Sequence, residues 1–183
     1  KLDFSQFRIT ISVGTALTSG ASQIWENITG CSISEGYGLS ETAPVLTFNE
    51  PGDEKIGTVG RPLIDTEIEI RDEDGNTLSQ GEEGELCARG PQVMLGYWNR
   101  PEETEKVMYP DNFFRTGDIA RVEPDGRITI VDRLKDMIIV SGFNVYPNEV
   151  ENVLTQHENV LEAAVIGEPD DRTGEKVCAY IVT

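Results

Sequence analysis

Residues 35–44 read EGYGLSETAP, an aromatic ring, two glycines, several hydroxyls and two carboxylates in one short run. That set suits a nucleotide. Tyr37 offers a flat face to a purine base, and Gly36 and Gly38 let backbone approach a ligand closely. Ser40 and Thr42 can bond phosphate oxygens, and Glu41 can hold a magnesium ion that bridges phosphates. On this stretch alone a plainer account weighs more: a strand-to-loop turn with a partly buried tyrosine, since short motifs recur by chance.

Two further stretches carry related chemistry. In NFFRTGDIA, residues 112–120, Asp118 follows Thr116 and Gly117 at the mouth of a strand. Its carboxylate can accept both hydrogen bonds of a ribose diol, a task carboxylates perform in dinucleotide folds. A Gly-Asp turn is common enough to be the better account of that stretch when it stands alone. In VDRLKDMIIVSGFNVYPNEVE, residues 131–151, Arg133 lies among Asp132, Lys135 and Asp136. A guanidinium there can reach ribose or phosphate oxygens, and the alternative is an interdomain salt-bridge cluster. Gly142, with Phe143 and Asn144, breaks the strand and can shape a ligand channel.

Composition narrows the partners. Among 183 residues, 15 Lys and Arg face 33 Asp and Glu, a net charge of −18. Such a chain has no general affinity for nucleic acid or anionic membrane, because phosphates find no basic patch. One phosphorylated small molecule held by local groups remains open. Cys31, Cys87 and Cys178 form no CxxC and His157 is the only histidine. That argues against a zinc site, a disulfide framework or a Cys/Ser–His nucleophile, and fits a reducing, cytoplasmic interior. No signal peptide or membrane-spanning apolar run is present. The acidic run Asp72–Asp74 lacks the alternating ligands of a calcium loop and reads as a solvated turn. The chain opens at Lys1 without Met and closes on the apolar run 179–182, so it reads as part of something longer.

The elements that must hold these groups follow from periodicity. Phe7, Ile9, Ile11 and Val13 alternate as a half-buried strand. Residues 14–20 form a small-residue loop. Ala21, Ile24, Trp25 and Ile28 recur at helical spacing before Gly30, and 31–34 is a second strand. This is an α/β layer, in which ligands gather beyond the carboxyl ends of strands. From residue 57 the pattern turns β. Thr66, Ile68 and Ile70 alternate with Glu67 and Glu69, and Asp74-Gly75 marks a hairpin turn. A return strand spans 84–90, a short helix 101–107, and strands 119–122 and 127–131 flank Asp125-Gly126. Beyond Arg133 comes a β-α-β-β unit with strands at 137–140, 160–166 and 176–182. Its helix is capped by Asn148 with Glu151 completing a box, and its apolar face is Val150, Val153 and Leu154. That unit has too few elements to cover its faces well. The expected organisation is 1–50 as the end of a large α/β subdomain, 51–133 as a small antiparallel β subdomain, and 134–183 as the start of an α+β C-terminal domain.

Four stretches in order, GYGLSE, GELCARGPQVMLGYWNRPEET, FRTGD and DRLKDMIIVSGFNVYPNEVE, resemble the adenylate-forming (AMP-binding) superfamily of acyl-CoA synthetases, luciferases and peptide-synthetase adenylation domains. One such motif is weak; four at plausible spacing are specific. The wording from Ser141 to Glu151 is most similar to long-chain fatty acid–CoA ligases. The resemblance implies that Tyr37 stacks on adenine beside Gly36 and Gly38. Ser40, where the family often has threonine, reaches the α-phosphate, and Glu41 binds Mg2+. Asp118 grips the ribose hydroxyls with help from Arg133. Lys135 is the hinge of a rotating C-terminal domain, Gly142 lies near the pantetheine arm of CoA, and Gly38, Pro44 and Val45 line the acyl pocket. The implied small molecules are a fatty acid, ATP, Mg2+ and CoA, with peripheral membrane contact compatible and the oligomeric state undetermined.

Departures set limits on that resemblance. Ile139 and Asn144 stand where some related ligases and luciferases carry lysine and glutamine, which argues against those branches. The Gly14–Gly20 stretch lacks the lysine and glycine pattern of the family's phosphate loop, and Lys176 is no substitute for its C-terminal catalytic lysine. Carboxylate attack on a phosphate needs cations and backbone donors at the developing charge. These residues alone are therefore expected to bind ATP weakly and turn it over negligibly. Two rivals remain: an aryl, short-chain or amino-acid ligase or adenylation domain, and a non-catalytic acidic module using its β-rich middle for protein contacts.

Overall fold

A computed structural model describes residues 2–15, 17 and 19–183, with the Ser19 side chain left aside. It divides into two compact units, one of residues 1–116 and 120–130, the other of 117–119 and 131–183.

The first unit opens with β1 (Thr10–Val13), α1 (Ser19–Thr29) and β2 (Ile33–Tyr37). β1 and β2 are parallel, with Thr10 opposite Ile33 and Val13 opposite Gly36. β3 (Thr47–Phe48) and β4 (Arg61–Pro62) extend that sheet antiparallel in the order β1-β2-β3-β4. The α/β reading therefore holds, but its faces do not. The strand is shorter than expected, leaving Phe7 and Ile9 outside it, and Ile11 and Val13 are exposed while Thr10 and Ser12 are half-buried. The cause is the helix: Trp25 of α1 donates its indole N–H to Thr10 Oγ1 at 3.1 Å, so α1 covers the polar side of β1. Ser22 is buried in α1, whereas Ile24 and Ile28 face outward. β2 also runs three residues further than the expected end at Ser34.

A second sheet, in the order β5-β6-β7-β8, consists of β5 (Glu67–Arg71), β6 (Gly84–Arg89), β7 (Phe114–Val122) and β8 (Ile128–Arg133), with α2 (Pro101–Val107) between β6 and β7. The 101–107 helix and the turn at Asp74-Gly75 form as the sequence predicts. In that turn the Gly75 N–H donates to Asp72 O, and the Asp72 carboxylate accepts the Asn76 backbone and side-chain N–H groups. Side chains alternate strictly across the β5–β6 pair. Ile68 and Ile70 oppose Ala88 and Leu86 and join Leu46, Ala120 and Ile128 in the core. The opposite face is ionic. Arg71, only 6% exposed, pairs with Glu69 at 2.8 Å and Asp111 at 2.6 Å. It also lies 4.7 Å from the Tyr109 ring centroid and 4.5 Å from that of Phe113. Arg89 and Arg115 stack on the same two rings and pair with Glu67 and Glu85. Cys87 is fully buried on this face, and burial pushes its thiol up to about 12, with Glu85 adding to the shift.

The second unit holds a sheet in the order β10-β9-β12-β11. Its elements are β9 (Ile138–Val140), β10 (Phe143–Val145), α3 (Pro147–Leu154), β11 (Glu162–Asp170) and β12 (Gly174–Val182). β11 and β12 form one long antiparallel hairpin from Glu162–Val182 to Asp170–Gly174, longer at both strands than expected. The strand breaks at Gly142 as expected, between β9 and β10, but Phe143 and Asn144 take no part in the break. Ser141 (φ 51°) and Gly142 (φ 86°) form a two-residue hairpin loop closed by the Val140–Phe143 pair, and Phe143 and Asn144 are in strand. Two consecutive positive φ values match the right-handed strand twist, and glycine takes the second at no steric cost. Asn148 is not the cap of α3. Pro147 is the first helical residue, and the Asn148 N–H and side-chain amide donate to Asp132 at 2.9 and 3.0 Å. Glu151 closes no capping box, since its carboxylate accepts the Val165 N–H at 2.7 Å.

Candidate functional site

The EGYGLSETAP segment begins inside β2. Glu35 and Tyr37 are two residues apart in the strand and so share a face. The Glu35 carboxyl is buried and held above its ordinary range by that burial, against the opposing hydrogen bonds from the Gly57 and Leu17 backbone. Tyr37 is half-buried at the strand's end and packs against the Leu46 core. Chain direction then reverses through a short 3-10 turn at Ser40–Thr42. The Leu46 N–H donates to Tyr37 O at 2.8 Å, which closes the 37–46 loop on itself. Gly38 is required by this closure, because a Cβ there would fall onto the Pro44 carbonyl oxygen and the Val45 Cα. A Cβ at Gly36 would meet the Phe48 ring at 2.8 Å. Both glycines thus serve close approach within the chain, and Gly38, Pro44 and Val45 are brought together.

Ser40 is exposed on the turn, but Thr42 is not available to a phosphate. It is fully buried, and its hydroxyl accepts the Leu39 N–H and bonds the Leu39 and Pro44 carbonyls at 3.0 and 3.1 Å. The Glu41 carboxylate is half-buried and accepts the Tyr97 hydroxyl proton on Oε1 at 2.8 Å. Burial first, and this bond second, push the Tyr97 phenol above its ordinary range, so it stays protonated at neutral pH. No partner of Glu41 Oε2 is found among the described residues. Nor is there any cluster there of three or more His, Cys, Asp or Glu side chains able to cage a metal. One carboxylate with an open oxygen fits Mg2+, which takes one or two carboxylates and completes its shell with water and phosphate oxygens.

In the second unit, Asp118 lies within the strand β7, not at its mouth, directly after Gly117 at φ 74°. It is 14% exposed, and Arg133, 63% exposed, approaches it at 3.9 Å. At that distance the pair is a loose one. Lys135 occupies a short 3-10 turn at Leu134–Asp136 and is exposed, as is Gly142 at its hairpin tip. Arg133 and Lys135 border a pocket of about 520 Å3 that also touches Ile138, Asn148 and Val165. Three of its carboxylates are already committed: Asp132 to the Arg133 and Asn148 N–H groups, Glu151 to the Val165 N–H, and Glu175 to the Ile139 N–H.

Tyr97 and Gln92 are functional candidates that sequence reasoning missed. Tyr97 lies 56 residues from Glu41 and Gln92 lies 47 from Val45, so no local spacing joins them.

The AMP-binding enzyme family matches residues 1–98, and the AMP-binding enzyme C-terminal domain matches residues 149–183. A long-chain-fatty-acid–CoA ligase of Yersinia pestis is 49% identical over 99% of this chain and 32% of its own length. One of Bacillus subtilis is 42% identical over 98% of this chain and 32% of its own. The chain thus spans about a third of the length of the curated relatives it matches. Among solved structures, ATP-bound MatB from Rhodopseudomonas palustris superposes with a TM-score of 0.89 at 37% identity, covering 95% of this chain and 35% of that one. An anthranilate CoA ligase in complex with anthranoyl-AMP gives 0.87 at 35% identity, covering 98% and 34%. By its sequence matches and its fold, the chain belongs to the AMP-binding enzyme family.

Proposed function

We propose that the chain carries the nucleotide-holding part of an ATP-dependent ligase that activates a fatty acid as acyl-AMP and passes the acyl group to CoA. In the first half-reaction a carboxylate oxygen attacks the α-phosphorus and pyrophosphate leaves. In the second the CoA sulfur attacks the acyl carbon and AMP leaves. Tyr37 stacks on adenine with Gly36 and Gly38 beside it, Ser40 bonds the α-phosphate, and Asp118 accepts the ribose hydroxyl protons with Arg133 assisting. Glu41 holds Mg2+, which when bound supplies positive charge to the triphosphate. Gly38, Pro44 and Val45 border the acyl chain. Lys135 is the hinge, and Gly142 lies by the pantetheine arm.

The observation that carries this reading is the closed 37–46 loop, which holds the Tyr37 ring and the Glu41 carboxylate four residues apart on a rigid strand end. The identity with long-chain ligases supports the fatty acid. Three free cysteines and the −18 charge support a cytoplasmic protein, at most peripheral to a membrane. No helix among the described residues is long and apolar enough to cross one. By themselves these 183 residues turn ATP over negligibly, since the cations that the chemistry needs are few here.

Titration of non-hydrolysable acyl-adenylate analogues into the chain tests the proposal. Asp118→Ala weakens binding about tenfold, the worth of a hydrogen bond to a charged group. Equal binding by wild type and variant overturns the proposal and favours an acidic interaction module. A fatty-acyl analogue binds more tightly than an anthranoyl one; the reverse order transfers the assignment to aryl acids, a reading that the likeness to the anthranilate ligase keeps in view.

A further inference from the structure

The segment from Gly90 to Trp98 meets the 37–46 loop at three points. The Met94 N–H donates to Glu41 O at 2.8 Å, the Tyr97 hydroxyl to Glu41 Oε1 at 2.8 Å, and the Gln92 side-chain amide to Val45 O at 3.3 Å. Tyr97 is itself fixed from the other side. Its backbone N–H donates to Thr104 Oγ1 at 2.9 Å, and that hydroxyl donates to Arg100 O at 3.0 Å. Gly96 sits so close to Thr104 that a Cβ would come within 2.7 Å of its methyl carbon. The phenol is therefore held by α2 and its approach, not by the loop it touches.

A tyrosine hydroxyl carries one proton. Spending it on Oε1 fixes the rotation of the Glu41 carboxylate and leaves Oε2 as the oxygen open to a cation. The backbone bond from Met94 fixes the same residue's main chain, so Glu41 is held at both ends by one segment. Hydrogen bonds to a ligating carboxylate orient it, and their loss costs roughly 10–100-fold in metal affinity. We propose that Tyr97 is a positioning residue for a divalent cation held by Glu41, its hydroxyl turning the carboxylate so that Oε2 faces the metal. This rests on the reading of Glu41 as the Mg2+ ligand.

Mn2+ is the probe, followed by water-proton relaxation during titration of the 183-residue chain, with hydrogen exchange at the Met94 amide as the structural control. Tyr97→Phe removes only the oxygen; it lowers Mn2+ affinity about tenfold and leaves Met94 protection unchanged. Glu41→Gln abolishes the site. If Tyr97→Phe binds Mn2+ as wild type does while Glu41→Gln fails to, the positioning role is wrong and the metal reading stands. If Glu41→Gln binds as wild type does, or wild type shows no site, the metal reading itself is wrong. A loss in Tyr97→Phe that comes with lost Met94 protection assigns the effect to loop opening and overturns the proposal.

Discussion

The two units are held together by different means. The first has a continuous apolar core on one face of the β5–β6 pair and a layer of arginines, carboxylates and two aromatic rings on the other. The second rests on few buried apolar side chains, Ile119, Val131, Ile138 and Val165 among the described residues, and leaves Ile166, Tyr180, Ile181 and Val182 exposed. Its carboxylates cap backbone N–H groups, Glu151 that of Val165 and Glu175 that of Ile139 singly, Asp132 and Asp170 through several bonds each. Redundancy is the difference. In the first unit each ring contacts two guanidinium groups, so no single bond sets the position of Tyr109 or Phe113. In the second, no ring–guanidinium layer is found among the described residues, and few buried apolar side chains support the sheet. The first unit is built to hold a loop still, and the second is the easier one to open locally.

The sharpest test of that contrast is Ile138→Ala. Ile138 is 1% exposed, and truncation is expected to cost about 3 kcal/mol. Hydrogen exchange then shows β11 and β12 losing protection while β5 and β6 keep theirs; uniform loss would mean the two units unfold as one. Arg71→Met comes next, at about 2 kcal/mol in urea unfolding. That lies below the usual cost of breaking a buried pair because Glu69 and Asp111 keep water, and Arg89 and Arg115 still cover the rings. A loss as large as that of Ile138→Ala would refute the redundancy.

The smallest effect concerns pH. Burial raises the Glu35 carboxyl, so the folded chain holds that proton to higher pH than the unfolded chain does. The resulting stabilisation is full below the ordinary glutamate pKa and is lost as pH rises through the raised one. Glu35→Gln removes this slope while keeping an acceptor for the Leu17 and Gly57 N–H groups. The midpoint of the variant relative to wild type is therefore expected to rise between pH 4 and pH 7. A difference that is flat with pH would show that Glu35 carries no such strain.

Several parts of this molecule were readable from the chain alone, and they share one property: their cause lies within a few residues. The Asp74-Gly75 turn follows from an Asx side chain and a positive-φ glycine. The 101–107 helix follows from proline at its first position and glutamates in its first turn. The order of the four motifs sufficed for the family, because each is a local string whatever the fold does with it. Tyr37, Glu41, Asp118 and Arg133 were nameable for the same reason, though not how each is held.

What tertiary structure decided is everything whose partner is distant. Alternation in β1 told which side chains share a face, but Trp25 bonding Thr10 chose the face that is covered. Asn148 has the right chemistry for a cap, yet Asp132, 3% exposed and 16 residues earlier, accepts the N–H groups at that helix start. Thr42 and Ser40 look alike in sequence; loop closure buries one hydroxyl and leaves the other out. Glu41 can be picked out by its type and its motif, but only the fold brings Tyr97 to its Oε1. The physical reason is common to all four. A hydrogen bond or a buried face needs two groups in place at once, and a sequence lists the groups without their distances.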